Sequence, residues 1–331
     1  MFGMKRRAFI TLLGGAAAWP LAARAQQPER MRGIGVLMPL GADDPEAQAR
    51  IAAFSQALEQ LGWTEGRNLR IDIRWGAGDA DRVRKDATEL AALAPNVILA
   101  NGSAAVAALQ LAARTVPIVF VAVIDPVGAG FVETMARPGG NATGFTNYEY
   151  GMSGKWLELL KELAPRLSRV GVIRDPSITA GGGQLGALQA VAPQLGVELS
   201  PIGVRDAGEI ERGVTAFARG PNDGLIVTGS TLATLNREMI VSLAARLKLP
   251  AVYSLRFFVT GGGLISFGPD RVDQYRRAAG YVDRILKGEK PADLPVQAPV
   301  KYEMAINLRT AKTLGLDVPV TLLARTDEAI E

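Results

Sequence analysis

Short apolar runs alternate with stretches of helical periodicity along most of the chain. The runs are GIGVLM, LRIDIRW, NVILA and PIVFVAVI, followed by RVGVIR, ELSPIGV, GLIVT and PAVYS. Helical stretches such as EAQARIAAFSQALEQLG and DADRVRKDATELAALA lie between them. Strands that alternate with helices indicate a mostly parallel sheet with helices on both faces, and strands this apolar are buried on both sides. The pattern therefore predicts an α/β fold with doubly wound parallel sheets.

The order of these segments occurs twice, which predicts two similar lobes. The matching pairs are RGIGVLM (32–38) with SRVGVIR (168–174), LEQLGW (58–63) with APQLGV (192–197), NVILANGSAAVAA (96–108) with DGLIVTGSTLATL (223–235), and VPIVF (116–120) with LPAVY (249–253). The alternative explanation is the general similarity of any two parallel α/β units. Two such lobes facing each other form a ligand cleft between them.

The two lobes are predicted to be joined more than once. Residues 141–150, NATGFTNYEY, are polar and rich in turn formers, and we interpret them as the first crossing. Residues 260–270, TGGGLISFGPD, are predicted to form a strand that returns to the first lobe, before a helix at Asp273–Lys287. Several crossings make a multi-strand hinge. The predicted lobes are 32–147 plus 260–290 for the first and 148–259 plus 291–331 for the second.

Residues 1–25 have the layout of a cleaved export signal. They combine a basic start at 5–7, an apolar middle broken by Pro20, and a small-x-small end at 23–25. The Arg6-Arg7-x-Phe-Ile run is similar to a twin-arginine signal, and an ordinary secretion signal is the alternative. The apolar middle is too short to span a bilayer comfortably. We therefore expect an exported protein with no stable membrane insertion once the signal is removed.

The formal net charge of +4 is explained by this first segment. Lys5, Arg6, Arg7 and Arg24 lie in it and account for the whole excess, so the rest of the chain is formally neutral. A basic whole-chain balance then says nothing about nucleic acid, and no Lys/Arg run with interleaved aromatics is present. We expect no nucleic-acid partner.

The chain contains neither cysteine nor histidine. This excludes disulfides, thiolate nucleophiles, Cys-ligated metals and a lipid anchor on a cysteine. The absence of histidine removes the commonest general base and the commonest metal ligand. We therefore expect no metal, no cofactor and no catalysis. An exported enzyme that uses carboxylates such as Asp125 and Asp175 is the alternative.

Two strand-end turns are the main candidates for ligand contact. Gly102-Ser103-Ala104 follows NVILAN, and Gly229-Ser230-Thr231 follows GLIVT at the matching place in the second lobe. Ligands of open α/β sheets bind beyond the carboxyl ends of the strands. Glycine admits a close ligand, and the first amides of the next helix can donate to a carboxylate or another polar oxygen. The alternative is that Ser103 and Ser230 only cap their helices.

Other side chains near the predicted strand ends are weaker candidates. They are Met38, Asp125, Tyr148, Tyr253 and Phe257. The aromatic rings could stack on a flat or apolar ligand, and core packing is the alternative for each of them. For Asp125, which precedes Pro126, the alternative is an Asx-type turn. Arg174-Asp175 is interpreted as a solvated pair in one loop.

GGGQLG at 181–186 matches the dinucleotide-binding pattern only formally. The first glycine of that pattern should follow a strand directly, but DPSITA intervenes. We interpret the segment as a flexible loop that enters a helix.

These motifs lie in longer stretches that resemble a known family, the solute-binding proteins of bacterial ABC transporters, in the group that includes tryptophan-binding members. DPVGAGFVETMARPGGNATGF and RILKGEKPADLPV are the most specific of the stretches, which together cover nearly all of the chain after the signal. The resemblance implies a periplasmic-binding-protein fold of type I, with two lobes joined by three crossings. It also implies a soluble periplasmic protein that delivers a bound solute to a membrane permease with its ATPase.

The resemblance also bears on individual residues. The Gly102-Ser103 turn and Asp125 match ligand-facing positions of the family's first lobe. Amino-acid-binding members have an Asp that helps to hold the ligand's amino group where this chain has Ser230. This difference favours a ligand without an ammonium, such as an aromatic or branched carboxylate. The expected function is delivery of a small polar or carboxylate-bearing ligand, aromatic or amino-acid-like, to an ABC importer, and a ligand sensor for a membrane receptor is the alternative.

Overall fold

The computed structural model describes residues 31–147 and 150–331 as two α/β lobes, each with its own sheet. The predicted export signal at 1–25 lies outside the described residues. The strands of the first lobe are β1 (Arg32–Met38), β2 (Leu69–Trp75), β3 (Val97–Asn101), β4 (Ile118–Val123) and β5 (Ala142–Thr146). All of its strand pairs are parallel, in the order β2-β1-β3-β4-β5. Its helices are α1 (Pro45–Gln60), α2 (Ala80–Ala92) and α3 (Ser103–Ala112).

The second lobe has a seven-stranded sheet. Its strands are β6 (Arg169–Arg174), β7 (Glu198–Gly203), β8 (Asp223–Val227), β9 (Ala251–Tyr253), β10 (Ile265–Pro269), β11 (Tyr302–Asn307) and β12 (Glu328–Ile330). The order is β12-β11-β10-β9-β8-β6-β7, and only the β10–β11 pair is antiparallel. The helices after β5 are α4 (Met152–Leu163), α5 (Thr179–Val191), α6 (Ala207–Phe217), α7 (Thr231–Leu235), α8 (Arg237–Arg246), α9 (Phe257–Thr260), α10 (Arg271–Leu286), α11 (Leu308–Thr313) and α12 (Val320–Leu323).

The predicted duplication is confirmed by the order of the strands. The strand order of the first sheet, β2-β1-β3-β4-β5, is repeated in the second sheet as β7-β6-β8-β9-β10. The matched sequence pairs fall on corresponding strands, β1 with β6, β3 with β8 and β4 with β9. The α/β class with two mostly parallel sheets is therefore as the sequence predicts. Strand β3 shows why, because all five of its residues are buried between helices.

The predicted return of residues 260–270 to the first lobe is wrong. Strand β10 lies in the second sheet, parallel to β9 and antiparallel to β11. The physical reason is the duplication itself: β10 is the fifth strand of the second repeat, as β5 is of the first. The chain crosses only after β10, when α10 packs on α1 and buries Tyr275, Ala278 and Val282 in the same core as Phe54.

The chain stays with the first lobe beyond α10. Leu294 is fully buried in that lobe's core, and Gln297 pairs beside β5, where its N–H donates to the Gly144 carbonyl (2.9 Å) and its carbonyl accepts from the Thr146 N–H (2.8 Å). The first lobe therefore extends further than residue 290. From these contacts we propose lobe boundaries at 32–147 plus 271–299 and at 150–270 plus 300–331.

The crossings lie beside one another as a hinge. One follows β5, one joins β10 to α10, and one leads into β11. The Asp270 N–H donates to the Lys301 carbonyl (3.1 Å), and the Asp270 carboxylate pairs with Lys301 Nζ (2.7 Å), so the second and third are held together. The first crossing is held by two hydrogen bonds: the Asn147 N–H donates to the Val123 carbonyl (2.8 Å), and Gln274 Nε2 donates to the Thr146 carbonyl (2.8 Å).

Within residues 31–147 and 150–331, no helix is long and apolar enough to cross a membrane.

Candidate functional site

The two Gly-Ser turns predicted from the sequence face each other across the gap between the lobes. Gly102 connects β3 to α3 with φ +82° and ψ 163°, a region that side chains with a Cβ rarely adopt. A Cβ placed on Gly102 would lie 3.5 Å from Thr231 Oγ1 of the opposite lobe. The carboxyl ends of the two sheets therefore meet at these turns.

The lobes are in contact around this point, so the structure is closed. Asp44 of the first lobe pairs with Arg237 of the second at 2.9 Å. Leu235 on α7 packs against the first lobe's core, and Ile124 beyond β4 is buried in the second lobe's core. Apolar and ionic contacts thus hold the closed arrangement together.

A cavity of about 140 Å³ lies between the lobes at the facing turns. The first lobe and the first crossing contribute Pro39, Leu40, Arg50, Asn101, Gly102, Ser103, Ala104, Ala122, Ile124 and Asn147. The second lobe contributes Asp175, Ser177, Ile178, Gly229, Ser230, Thr231, Thr234 and Leu255, and Arg271 lies at the start of α10. The structure therefore brings every residue of both predicted turns to one cavity between the lobes.

The two turns offer different chemistry to a ligand. Helix α3 begins at Ser103 without a side-chain cap, because its N-cap is Gly102. The first amides of a helix have no partner within the helix and carry the positive end of its dipole, so they are available to an oxygen in the cavity. On the other side, Ser230 Oγ accepts from the Ala233 N–H (3.0 Å). The capping alternative thus describes Ser230, whereas Ser103 does not cap α3.

Met38 and Tyr253 do not reach the cavity. Met38 is fully buried at the end of β1, where its Sδ accepts from the Tyr275 hydroxyl (3.0 Å). Tyr253 is 1% exposed at the end of β9 and stacks on Phe258 with ring centroids 4.9 Å apart. Successive side chains on a strand point to opposite faces of the sheet, and both faces are covered by helices here. The expectation that these two side chains contact a ligand is corrected to core packing.

Asp125 also lies away from the cavity and forms a turn, which was the alternative for this residue. It has φ +50°, and its Oδ1 accepts from the Gly128 N–H (2.8 Å). Its Oδ2 accepts from the Tyr150 hydroxyl (2.7 Å), which links the end of β4 to the first crossing. Partial burial, and then the hydrogen bond to Asp125, raise the pKa of the Tyr150 phenol well above its usual value. Tyr150 therefore remains a neutral donor in this contact.

The remaining predicted aromatic residues do not line the cavity either. Phe257 is 7% exposed and lies between two guanidinium groups, those of Arg50 (5.9 Å) and Arg237 (5.8 Å). It lines a shallower groove between the lobes, next to Pro45. Tyr148 lies outside the described residues. Among the lining residues that the structure describes, none is aromatic.

Sequence reasoning missed Arg50, Asn101 and Asn147 among the polar side chains of the cavity, and its interpretation of Asp175 as part of a solvated pair is corrected, because Asp175 lines the cavity. The sequence pattern could have identified Arg50, because this residue lies in the buried stripe of α1 with Ala47, Ile51 and Phe54. A charged residue within such a stripe is unusual and marks a site. Asn147 had no such signal, and Asp175 had only its position after a predicted strand. They follow strands of different lobes, and only the closed fold brings them together.

No group of three or more acidic side chains that could hold a metal ion occurs in the part of the chain that the structure describes. The tertiary structure thus offers hydrogen-bond donors, hydroxyls and apolar walls around a small space. These groups can recognise a solute without changing it covalently.

Comparison with known proteins gives a consistent result. A sequence profile described as "ABC transporter substrate binding protein" matches residues 34–330. A tyrosine-binding protein of Clostridioides difficile (strain R20291) is 27% identical over 274 residues, which cover 83% of this chain and 79% of the relative. The ABC domain from Streptococcus pneumoniae, solved in complex with L-Trp, is 25% identical, with a TM-score of 0.84 over 91% of this chain and 100% of that chain.

A third relative bears on the closed arrangement. The ligand-free, open structure of a substrate binding protein with adhesive properties from Clostridium difficile is 26% identical. Its TM-score is 0.69 over 91% of this chain and 99% of that chain, below the 0.84 of the L-Trp complex at nearly the same identity. This chain is therefore closer in shape to the ligand-bound relative. Substrate binding proteins of ABC transporters bind solutes and are not enzymes. Because the family profile matches residues 34–330, the chain belongs to the ABC transporter substrate binding protein family.

Proposed function

We propose that this chain is the extracytoplasmic, periplasmic binding component of an ABC importer. It closes on a small carboxylate-bearing solute and presents the closed form to a membrane permease with its ATPase. The observation that carries this proposal is the cavity between the lobes, to which both Gly-Ser turns contribute. The export signal predicted at residues 1–25 supports the location.

The walls of the cavity favour a small organic acid with an apolar part. The uncapped start of α3 and the hydroxyl of Ser103 offer donors to a carboxylate. Leu40, Ile124 and Leu255 line the same space and suit an apolar group. The volume of about 140 Å³ is close to the roughly 150 Å³ of an apolar cavity that holds benzene, so the space suits a ring or a branched chain. The tyrosine-binding and L-Trp-bound relatives support an amino-acid-sized ligand.

The mechanism of this function is closure of the lobes. A solute that touches both lobes gains contacts only in the closed form, and it shifts the population toward that form by the free energy of those contacts. Micromolar affinity corresponds to about 8 kcal/mol. Several hydrogen bonds of about 1 kcal/mol each, together with burial of an apolar group at about 25 cal/mol per Å², supply a free energy of this order.

A binding screen followed by uptake tests the proposal. Thermal-shift and calorimetric titrations of the mature protein with amino acids, aromatic and branched carboxylates, and polyols should identify a solute that binds and is recovered unchanged. A strain lacking the protein should then lose uptake of that solute at low concentration. Covalent turnover of the solute would contradict the proposal, as would normal uptake in the deletion strain.

A further inference from the structure

Arg50 is a buried cation with an unsatisfied donor at the cavity. The residue is 2% exposed and lines the space between the lobes. One terminal nitrogen contacts Glu46 at 3.3 Å, but Nε–H is shielded from solvent and has no hydrogen-bond partner among the described residues. A buried N–H without a hydrogen-bond partner carries a free-energy cost, even in a guanidinium group whose other nitrogen is paired. A ligand oxygen in the cavity can remove this cost.

Asn147 is a second unsatisfied group on the same cavity. It is 1% exposed, and neither its side-chain nitrogen nor its oxygen has a partner among the described residues. The main-chain N–H of Asn147 donates a hydrogen bond to the Val123 carbonyl, which holds the backbone of this residue at the first crossing. Buried amides are nearly always hydrogen-bonded, and this one lines the cavity, where a ligand can supply the partner.

The charges around the cavity indicate the sign of the ligand. Arg50, Arg271 and Asp175 are the charged residues among its described lining residues. Asp175 Oδ1 already accepts from both the N–H (2.8 Å) and the hydroxyl of Ser177 (2.5 Å). A neutral polyol can accept from these donors, but its hydroxyl forms a weaker hydrogen bond with a guanidinium than a carboxylate does. A carboxylate satisfies donors and charge together.

We propose that Arg50 is a ligand-binding residue, and that a carboxylate of the solute accepts from Arg50 Nε and Asn147 Nδ2. This inference rests on the proposed solute-binding function and assigns the side chains that recognise the carboxylate. The cavity then selects organic anions and carboxylate-bearing zwitterions over amines and neutral polyols of the same size. The apolar walls hold the rest of the solute.

The test uses sets of probes that share one carbon skeleton. L-phenylalanine, 3-phenylpropionate and 2-phenylethylamine form one set, L-leucine, 4-methylpentanoate and 3-methylbutylamine form another, and myo-inositol is the neutral probe. Calorimetry with the mature protein should show binding of at least one carboxylate-bearing member, and binding of its amine and of inositol that is weaker by about 10-fold or more, as expected for loss of a charged hydrogen bond. An amine or inositol that binds as tightly as the acids would overturn the inference and the carboxylate class of the solute, but closure on a solute and its delivery to an importer would still stand. Absence of binding by every probe would also overturn the inference.

Variants then assign the effect to Arg50. Arg50→Gln should weaken binding of the acid by about 10- to 100-fold, and Arg50→Lys should restore part of it. The matched control is Arg169→Gln, because Arg169 has a salt bridge to Asp223 (3.0 Å) and a ring contact with Phe217 (5.0 Å) but lies at the opposite end of β6. The control should keep wild-type affinity. Equal affinity of Arg50→Gln and wild type for the acid would overturn the assignment. If Arg50→Gln does not fold, the comparison of probes on the wild-type protein still decides the ligand class.

Discussion

The ion pair between Asp44 and Arg237 should stabilise the closed form and thereby raise solute affinity. Asp44 Oδ2 and Arg237 are 2.9 Å apart across the gap between the lobes. The other oxygen of Asp44 caps α1 by accepting from the N–H groups of Glu46 (2.9 Å) and Ala47 (3.1 Å). Asn is as good an N-cap as Asp, so Asp44→Asn removes the charge while keeping the cap. Arg237→Gln removes the charge from the other side.

The expected magnitude follows from the burial of the pair. Exposed ion pairs contribute about 0.2–1 kcal/mol, and hydrogen bonds to charged groups contribute about 1.5–3 kcal/mol. The side chains of Arg237 and Asp44 are 22% and 10% exposed, so the pair lies between these cases, and we expect about 1–2 kcal/mol. Since the pair exists only when the lobes are closed, each variant should weaken solute binding by about 5- to 30-fold.

The assay is a double-mutant cycle by calorimetry on wild type, Asp44→Asn, Arg237→Gln and the double variant. Loss of the pair predicts that the second substitution has almost no further effect on affinity. Asp79→Asn is the matched control, because Asp79 caps α2 through the N–H groups of Asp81 (2.8 Å) and Arg82 (3.1 Å) within the first lobe. Urea unfolding should show little change in the free energy of unfolding for either Asn variant. Additive effects of the two substitutions, or unchanged affinity in both, would refute this reasoning.

The remaining predictions concern the turns, the first crossing and the buried phenols. Ser230→Ala should lower the free energy of unfolding by about 1 kcal/mol through loss of the cap, whereas Ser103→Ala should weaken solute binding with a smaller effect on urea unfolding, and the reverse order would contradict these roles. Tyr150→Phe should lower stability by about 1 kcal/mol through loss of the bond to Asp125, and equal unfolding midpoints would show that this contact contributes nothing. Burial raises the pKa of the Tyr275 phenol above its ordinary value of 10.0, so the folded state keeps a proton that the unfolded state loses. The stabilisation that results from this pKa shift is complete below pH 10.0 and is lost as the pH rises above it. The free energy of unfolding of Tyr275→Phe should therefore fall less than that of wild type between pH 9 and about pH 11. Equal falls in the two proteins would contradict the assignment.

The sequence predicts the fold well, because the periodicity of apolar residues is local information. Buried runs such as Val97–Asn101 identify parallel strands directly, and the repeated order of segments predicts the second lobe. The prediction places the strand at Ile265–Pro269 in the wrong sheet, because the sequence repeat identifies four strands in each lobe and does not reveal the fifth. Sheet membership depends on pairing between segments distant in sequence, which periodicity does not encode.

The sequence predicts the part of the site that is formed by the backbone turns at the ends of the strands. A Gly-Ser turn between a buried strand and a helix lies at the carboxyl edge of the sheet whatever its neighbours are, and both turns line the cavity. Side chains at strand ends are harder to place, because a shift of one residue changes the face. Tyr253 is buried in the core because helices cover both faces of the sheet at the end of β9. Arg50 and Asn147 come from segments far apart in the chain, and only the closed tertiary structure places both at one cavity.

The central claim is that the two lobes close on a solute. The chain has no native cysteine, so two labels can be attached at chosen sites without interference. Ala42 and Glu238 are exposed and flank the Asp44–Arg237 contact on opposite lobes, and Ala42→Cys with Glu238→Cys places a dye pair across the mouth of the cleft. Single-molecule energy transfer between the dyes should rise when the solute identified by calorimetry is added, and the high-transfer population should saturate with the same affinity. Energy transfer that is identical with and without a saturating solute would contradict the account.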